Sequence, residues 1–180
     1  MPRFILTGPP GSGKTALLRL LEREGHRVVE EAATDVIALQ QALGEAEPWL
    51  RPEFVDQVAA LQRRREATGP PGDATAFFDR SPVCTLALAR FLGLPAPRLL
   101  AAELARVIGD AVYARTVFFV RSQGFVTPTA ARRITLAESL DFERTHEQVY
   151  RELGFELVDV AAGPLADRAA LVCAVAIYPA

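Results

Sequence analysis

The 180-residue chain contains no asparagine, and only one of its 20 Lys and Arg residues is a lysine, Lys14. Because arginine supplies nearly every positive charge, a position that keeps lysine is expected to need a compact ammonium rather than a planar guanidinium. The absence of asparagine also excludes the Asn-Lys-x-Asp signature of guanine recognition. The single lysine is therefore the first candidate for a functional side chain.

Cysteine is almost as scarce. Cys84 and Cys173 are far apart in the sequence, and neither has a second Cys or a His at the spacing of a zinc site. Two cysteines also do not make the dense disulfide framework of a small secreted domain. Both are interpreted as small, buried apolar residues.

The chain has neither a surplus of positive charge nor a long apolar run. Its formal net charge is -2, whereas nucleic-acid binding usually requires a basic surface. The one basic run, at 63–65, is interpreted as a solvated helix face. No stretch approaches the 18 apolar residues of a membrane span, and segment 1–6 is too short for a signal peptide. We expect no nucleic-acid partner, no membrane segment and a cytoplasmic location, and the sequence does not indicate the oligomeric state.

Length and composition indicate a globular protein. Half of the residues are hydrophobic and 23% are charged, and 180 residues fall within the usual size of one domain. Residues 1–180 are therefore predicted to form a single domain.

Short apolar runs alternate with segments of helical periodicity along the chain. The runs predicted as buried strands are 3–7, 26–30, 74–79, 115–120 and 155–160. Helices are predicted between them, including an inserted pair over 35–66 that begins at Thr34 or Asp35 as N-cap. This alternation predicts an α/β fold with a five-stranded, mostly parallel sheet and helices on both faces.

The segment between the first strand and the first helix matches the pattern GxxxxGK[ST] in full. Glycines in such a loop let successive backbone N–H groups face the phosphates of a nucleotide. Lys14 would reach the β- and γ-phosphates, and the Thr15 hydroxyl would ligate Mg²⁺. The predicted cofactors are ATP and Mg²⁺, and the predicted phosphate-binding residues are Gly8, Gly11, Ser12, Gly13, Lys14 and Thr15.

The predicted third strand ends in an acid, Asp79, followed by Arg80. In a parallel sheet the Asp79 carboxylate would emerge at the carboxyl edge beside the loop, where it could hold Mg²⁺ through water. Arg80 is a candidate clamp for a substrate or phosphoryl oxygen. The alternative for Arg80 is an exposed charge at a strand end.

Two further acids, Glu30 and Glu31, end the predicted second strand at the same edge. A carboxylate there could accept the proton of an acceptor hydroxyl as a general base. Strand alternation places Glu31 on the same face as Val29 and Glu30 on the other face, and on this basis we favour Glu31. The alternative is that these acids only interact with a helix dipole.

Segment 121–135 is polar and poorly periodic, and we predict that it forms a lid over the nucleotide. Of its arginines, Arg132 and Arg133 are predicted to neutralise charge on the transferred phosphoryl group. The two histidines, His26 and His146, stand apart from every motif and are interpreted as structural or exposed.

Taken together, these motifs resemble a known group of proteins. They are the loop ending in Lys14-Thr15, Glu31-Ala32-Ala33, Phe78-Asp79-Arg80-Ser81-Pro82 and Tyr150-x-x-x-Gly154-Phe155. The set is similar to small P-loop proteins of the AAA-type ATPase group, akin to the kinase domain of ribosylnicotinamide kinases, and to deoxynucleoside kinases. The resemblance implies a three-layer P-loop NTPase fold of the nucleoside- and nucleotide-kinase type, with Glu31 as base and Arg80 as clamp.

The sequence thus predicts a Mg²⁺- and ATP-dependent phosphotransferase acting on a small hydroxyl-bearing acceptor, such as a nucleoside or nucleotide. The predicted catalytic residues are Lys14, Glu31, Asp79, Arg80, Arg132 and Arg133, and the predicted metal ligands are Thr15 and Asp79. The alternative is a regulatory nucleotide switch with slow hydrolysis and a protein partner. Release of ADP that depends on an added acceptor would separate the two.

Overall fold

The structure is a computed structural model that describes residues 2–68, 75–126 and 134–177. These ranges form five strands, seven α-helices and one short 3₁₀ helix at Pro48–Leu50. The strands are β1 (Arg3–Thr7), β2 (Arg27–Val29), β3 (Ala76–Asp79), β4 (Thr116–Val120) and β5 (Glu156–Val160). The helices are α1 (Lys14–Arg23), α2 (Ala33–Ala42), α3 (Phe54–Thr68), α4 (Pro82–Phe91), α5 (Arg98–Gly109), α6 (Leu136–Glu152) and α7 (Leu165–Ile177).

The strands form one sheet in the order β2-β3-β1-β4-β5, and every neighbouring pair is parallel. The predicted five-stranded α/β fold is confirmed, and the described sheet is wholly parallel. The chain leaves β1 toward β2 and β3 on one side and later returns to β4 on the other. A crevice at the carboxyl ends of the strands is expected at such a reversal of strand order.

Helices cover both faces of the sheet, because the side chains of its strands are apolar on both faces. On one face, Phe4, Phe77 and Phe118 pack against α1 and α7. On the other, Ile5 and Phe78 pack against α4, α5 and α6. The result is the three-layer arrangement expected from the sequence.

The helices α2 and α3 form a separate apolar cluster beside the sheet. Val36 and Ile37 of α2 pack with Phe54, Val55 and other residues of α3 against α4 and α5. This pair of helices projects from the carboxyl edge of β2, where the sequence predicts an insertion at 35–66. Its observed helices run over 33–42 and 54–68.

The predicted start of α2 is wrong. The helix begins at Ala33, and the N-cap is Ala32, which gives no side-chain hydrogen bond. Thr34 lies within the first turn, and its hydroxyl donates to Glu31 Oε2 at 2.8 Å. Asp35 instead forms an ion pair with Arg65 of α3. Both residues are occupied by contacts that connect α2 to its surroundings, which local helix-capping preferences do not predict.

Among the described residues, no helix is long and apolar enough to cross a membrane.

Candidate active site

The loop between β1 and α1 is held against the sheet by glycines with positive φ. Gly8 has φ 130°, and a Cβ built there would lie 2.1 Å from the carbonyl oxygen of Val120 in β4. No side chain fits at that separation, so only glycine lets the loop leave β1 so close to β4. The loop is thereby fixed at the carboxyl edge of the central strands.

A second close contact joins the loop to α7. Arg168 Nη2 donates to the Ser12 carbonyl oxygen at 2.7 Å, and a Cβ on Gly13 would lie 2.9 Å from Arg168 Nη1. Ser12 is fully buried, and its carbonyl also accepts from Gln123 Nε2 at 3.3 Å. These side chains, distant in sequence, keep Ser12 and Gly13 in place at the start of α1.

Lys14, the single lysine, is 6% exposed and folds back into the loop. Its Nζ donates to Gly8 O at 3.0 Å, Pro9 O at 2.8 Å and Ser12 Oγ at 3.1 Å. Burial and the nearby Arg80 lower the pKa of Lys14 to about 8, although Asp79 and Glu31 act in the opposite direction. The ammonium is thus held in the loop and is only weakly compensated by carboxylates.

Asp79 ends β3 directly opposite Leu6 of β1 and is 5% exposed. Its Oδ1 is buried and has no hydrogen-bond partner among the described residues. Burial and the Glu31 carboxylate raise the pKa of Asp79 to about 6 against the opposing effect of Lys14 and Arg80. A buried carboxylate oxygen left without a partner is costly unless a ligand satisfies it.

These observations fit a divalent cation bound at the sheet edge. Thr15 and Asp79 both line the same cavity, so a hydroxyl-bearing residue and a carboxylate residue border one space. Oxygen atoms of this kind are the ligands that Mg²⁺ prefers, together with phosphate oxygens and water. The residue types that the sequence predicts for a Mg²⁺ site therefore occur together beside the loop.

Arg80 lies immediately after β3 and has a left-handed backbone, with φ 76°. A non-glycine residue pays roughly 1 kcal/mol or more for this conformation. Its amide donates to the Leu6 carbonyl at 3.0 Å, which extends the pairing of β3 with β1 by one residue. This backbone turn separates the strand from α4, which is capped by the Ser81 hydroxyl.

The side chain of Arg80 joins two elements across the site. Nε donates to Glu31 Oε1 at 2.5 Å, and Nη1 lies 3.1 Å from His146 Nε2. A guanidinium has only donors, so His146 Nε2 accepts and its Nδ1–H donates to the Phe142 carbonyl at 2.9 Å. Burial and the charge of Arg80 lower the pKa of His146 well below its ordinary value. His146 is thus a neutral support for Arg80, which agrees with the structural alternative for this histidine, although its contact with Arg80 has no signal in the sequence.

Glu31 is held in the cavity, whereas its neighbour Glu30 is not. The Glu31 side chain is 23% exposed and accepts from Arg80 and Thr34, while Glu30 pairs with Arg19 on the surface. Burial raises the pKa of Glu31, but the charges of Arg80 and Lys14 outweigh it, and the net pKa lies below the ordinary value. Glu31 is therefore ionised at neutral pH.

Arg65 supports the Glu30–Glu31 turn from α3. Its guanidinium donates to the carbonyl oxygens of Glu30 and Glu31 and pairs with Asp35. It belongs to the basic run at 63–65, for which the sequence indicates a solvated helix face. Arg65 is instead part of the frame that fixes Glu31, because it satisfies backbone acceptors that the end of β2 leaves open.

A series of buried, hydrogen-bonded side chains lies next to the site. The Tyr150 hydroxyl is 2.9 Å from Ser81 Oγ and 3.0 Å from Cys84 Sγ, and Cys84 Sγ is 3.2 Å from Thr7 Oγ1. The series connects the end of β1, the start of α4 and α6. His146 and Tyr150 are one helical turn apart on α6, so this one helix supports both Arg80 and the α4 terminus.

A cavity of about 600 Å³ joins the loop to the helices α2 and α3. We call the part of its lining that Gly11, Gly13, Lys14, Thr15 and Asp79 form the loop end, and Glu31 and Arg80 border the same cavity. The part formed by the surrounding helices, which we call the far end, is mainly apolar: Ile37, Trp49, Leu50, Phe54, Val58, Leu88, Phe91 and Phe142. The volume is in the range of small-molecule sites.

The predicted lid is only partly within the described residues. Arg132 and Arg133 lie outside them. Arg121, at the start of the segment, pairs with Glu143, Glu147 and Asp159 and lies 4.3 Å from the centre of the Phe119 ring. Its charge is therefore already compensated by the elements beneath it.

The parallel sheet and the loop after its central strand define a P-loop nucleotide-binding fold. A family model described as an AAA domain matches residues 3–168, and the chain belongs to this family. No curated protein matches the chain.

Solved structures show the same fold at low sequence identity. A NadR protein in complex with NAD and AMP-PNP is 17% identical, with a TM-score of 0.68 over 98% of this chain and 49% of that one. The chain therefore spans about half the length of that protein. Thymidylate kinase from Ehrlichia chaffeensis is 13% identical, with a TM-score of 0.66 and 97% of each chain covered. Shikimate kinase from Acinetobacter baumannii is 15% identical, with a TM-score of 0.57 over 98% of this chain and 93% of that one. The resemblance drawn from the sequence is confirmed as a likeness of family and fold.

Proposed function

We propose that the protein transfers the γ-phosphoryl group of ATP, with Mg²⁺, to a hydroxyl of a small acceptor. The observation that carries the proposal is a single cavity, which the loop, Glu31 and Arg80 share with an apolar chamber formed by the surrounding helices. A protein that only hydrolyses ATP has no need of a second chamber at this position.

The loop end of the cavity suits the triphosphate. Gly11 and Gly13 present backbone amides, and Lys14 would exchange its loop carbonyls for the β- and γ-phosphate oxygens. Thr15 and Asp79 would hold Mg²⁺, which when bound neutralises charge on the phosphates. Arg132 and Arg133 remain the proposed lid arginines, with the same role on the γ-phosphate.

The part of the cavity that Glu31 and Arg80 border suits the acceptor hydroxyl. Glu31 is ionised, which is the state in which a carboxylate accepts a proton, and Arg80 and Thr34 fix its two oxygens. Arg80, supported by His146, would also contact the transferred group or the hydroxyl beside it. Transfer then proceeds by positioning and charge neutralisation, since little covalent chemistry is asked of the protein.

The far end of the cavity suits an uncharged ring. Two polar side chains also line the cavity, Gln62 of α3 and Thr85 of α4, and they are hydrogen-bonded to each other at 2.8 Å. Among the described lining residues the cations are Lys14 and Arg80, and Arg80 is paired with Glu31. An acceptor with its own phosphate would meet no further described cation there, so a nucleoside or similar ring compound is favoured over a nucleotide.

Acceptor-dependent release of ADP tests the proposal. We expect purified protein with ATP and Mg²⁺ to release ADP rapidly only when one member of a panel of nucleosides, nucleotides and other hydroxyl metabolites is added. The phosphorylated acceptor should appear in equal amount by mass spectrometry. Slow ADP release that no panel member stimulates, together with capture of a protein partner only in the ATP-bound state, would favour the regulatory switch instead.

A further inference from the structure

A second cluster of chemically reactive side chains lies at the opposite edge of the sheet. Glu24 follows the last residue of α1, His26 comes directly before β2, and Cys173 lies on α7. The phosphate loop is at the carboxyl ends of the strands, whereas His26 precedes the amino end of β2. The cluster therefore has no part in the proposed transfer reaction.

We propose that Glu24, His26 and Cys173 form a binding site for a zinc ion. One ligand atom from each residue lies within 4.8 Å of the other two. Cys173 Sγ is 3.4 Å from His26 Nε2 and 3.9 Å from Glu24 Oε2. In a tetrahedral zinc site, bond lengths of about 2.3 Å to sulfur and about 2.1 Å to nitrogen or oxygen place such ligand pairs roughly 3.6 Å apart. The observed separations differ from this value by only a few tenths of an ångström.

The donor set selects the metal. A thiolate, an imidazole and a carboxylate together suit zinc, whereas Mg²⁺ and Ca²⁺ take oxygen ligands. Three protein ligands leave a fourth tetrahedral position for water, and the exposure of Glu24 gives solvent access to it. Binding of zinc would displace the thiol proton of Cys173 to solvent.

The ligands stand on firmly held backbone. Gly25, with φ 93°, turns the chain between Glu24 and His26, and the His26 amide donates to the Leu21 carbonyl at 3.0 Å. The rings of His26 and Phe77 of β3 pack nearly perpendicular to each other, with ring centres 5.3 Å apart. Zinc would therefore require small movements of the three side chains rather than a rearrangement of the turn, and it would connect the end of α1 to α7.

Cobalt and zinc titrations of the purified protein test this site. Mg²⁺ is kept in excess so that the oxygen ligands at Asp79 are occupied. We expect one Zn²⁺ per chain by competition with a chromogenic chelator, and a thiolate-to-cobalt charge-transfer band in the near ultraviolet when Co²⁺ is used. Absence of that band, or of stoichiometric zinc binding at micromolar concentrations, would overturn the proposal.

Variants identify the ligands. Cys173→Ser should abolish the cobalt band. His26→Gln and Glu24→Gln should each weaken zinc binding by at least about tenfold, because even the loss of a residue that only hydrogen-bonds a metal ligand has an effect of that size. Cys84→Ser tests the other thiol and Glu22→Gln a nearby exposed carboxylate, and both should keep the band and the affinity. Equal zinc affinity in Cys173→Ser and the unmodified protein would refute the assignment, with circular dichroism showing that each variant is folded. Glu24→Gln alters an exposed side chain and keeps the test valid if His26→Gln fails to fold.

Discussion

The two ends of the cavity are built in different ways. The loop end is made largely of backbone from one continuous segment, 8–15, with Lys14 folded into it. The far end is made of side chains from α2, α3, α4, α6 and the 3₁₀ helix, which are dispersed over more than a hundred positions of the sequence. A short motif can therefore encode the first end, while only the packing of several helices defines the second.

This difference separates the effects that mutations should have. Changes at the loop end should weaken the affinity for ATP and leave the KM for the acceptor unchanged. Changes at the far end should raise the KM for the acceptor and leave the affinity for ATP unchanged. Glu31 and Arg80 are proposed to act on the acceptor hydroxyl and the transferred group, and changes there should affect transfer without affecting the binding of ATP. Four experiments test this division, in order of decreasing expected effect.

The largest effect is expected at Glu31. Glu31→Gln keeps the shape of the side chain and removes its ability to accept a proton, so the rate of transfer should fall by about 10²- to 10⁴-fold. The affinity for ATP, measured by calorimetry, should change little. Glu30→Gln is the matched control, because Glu30 pairs with Arg19 at the surface. Equal loss of activity in both variants would mean that Glu31 has no special role.

A large effect is also expected at the loop end. Lys14→Ala removes charge-assisted hydrogen bonds to phosphate, each worth up to about 3 kcal/mol, and should weaken ATP binding by at least about a hundredfold. Arg19→Ala, on the exposed side of the same helix, should bind ATP as the unmodified protein does. Unchanged ATP affinity in Lys14→Ala would contradict the assignment of the phosphate loop.

A smaller effect, on the binding of the acceptor rather than of ATP, is expected at the far end. Leu88 is half-buried in the apolar chamber. Leu88→Trp should fill part of the chamber, raise KM for the acceptor by about tenfold or more, and lower stability by roughly 1–3 kcal/mol. The affinity for ATP should stay the same. Leu88→Met, which nearly conserves volume, should restore the acceptor KM, and a Trp variant with unaltered acceptor kinetics would show that the acceptor binds elsewhere.

The smallest effect is a dependence of ATP affinity on pH. The pKa of Lys14 is lowered to about 8 in the free protein, and phosphates favour its charged form. Affinity should therefore be constant below about pH 8 and fall above it, by up to about tenfold per pH unit. Lys14→Arg, if it binds ATP, provides a control without this titration. A flat profile through pH 8 in the unmodified protein would mean that the Lys14 charge does not contribute.

The sequence predicted the loop end of the site better than its surroundings. The run from β1 through the loop into α1 is continuous, so its pattern and its structure coincide, and the acid at the end of β3 was predicted from the apolar run that it ends. The supporting residues could not be found in this way. His146, Arg65 and Arg168 contact site residues more than 30 positions away, and no local pattern marks them.

The prediction that Cys173 is buried is wrong, because it is only partly buried, and again the reason is a contact across the sequence. Its environment is set by His26, which is 147 positions away in the sequence and adjacent in the structure. Spacing rules detect metal ligands that are close in the sequence, so they do not detect a pair brought together by the packing of α7 beside α1. Cys84, in contrast, is buried as expected, although its sulfur also contacts the Tyr150 hydroxyl.

The contact of Arg168 with the Ser12 carbonyl has a consequence for how the protein is made. During synthesis the phosphate loop leaves the ribosome long before α7, because 156 positions separate the two contacting residues. The nascent loop therefore lacks one of its supports until α7 has been translated and has docked beside α1. Tight binding of nucleotide should accordingly appear late in translation, and the nucleotide would then stabilise the finished chain in preference to its incomplete precursors.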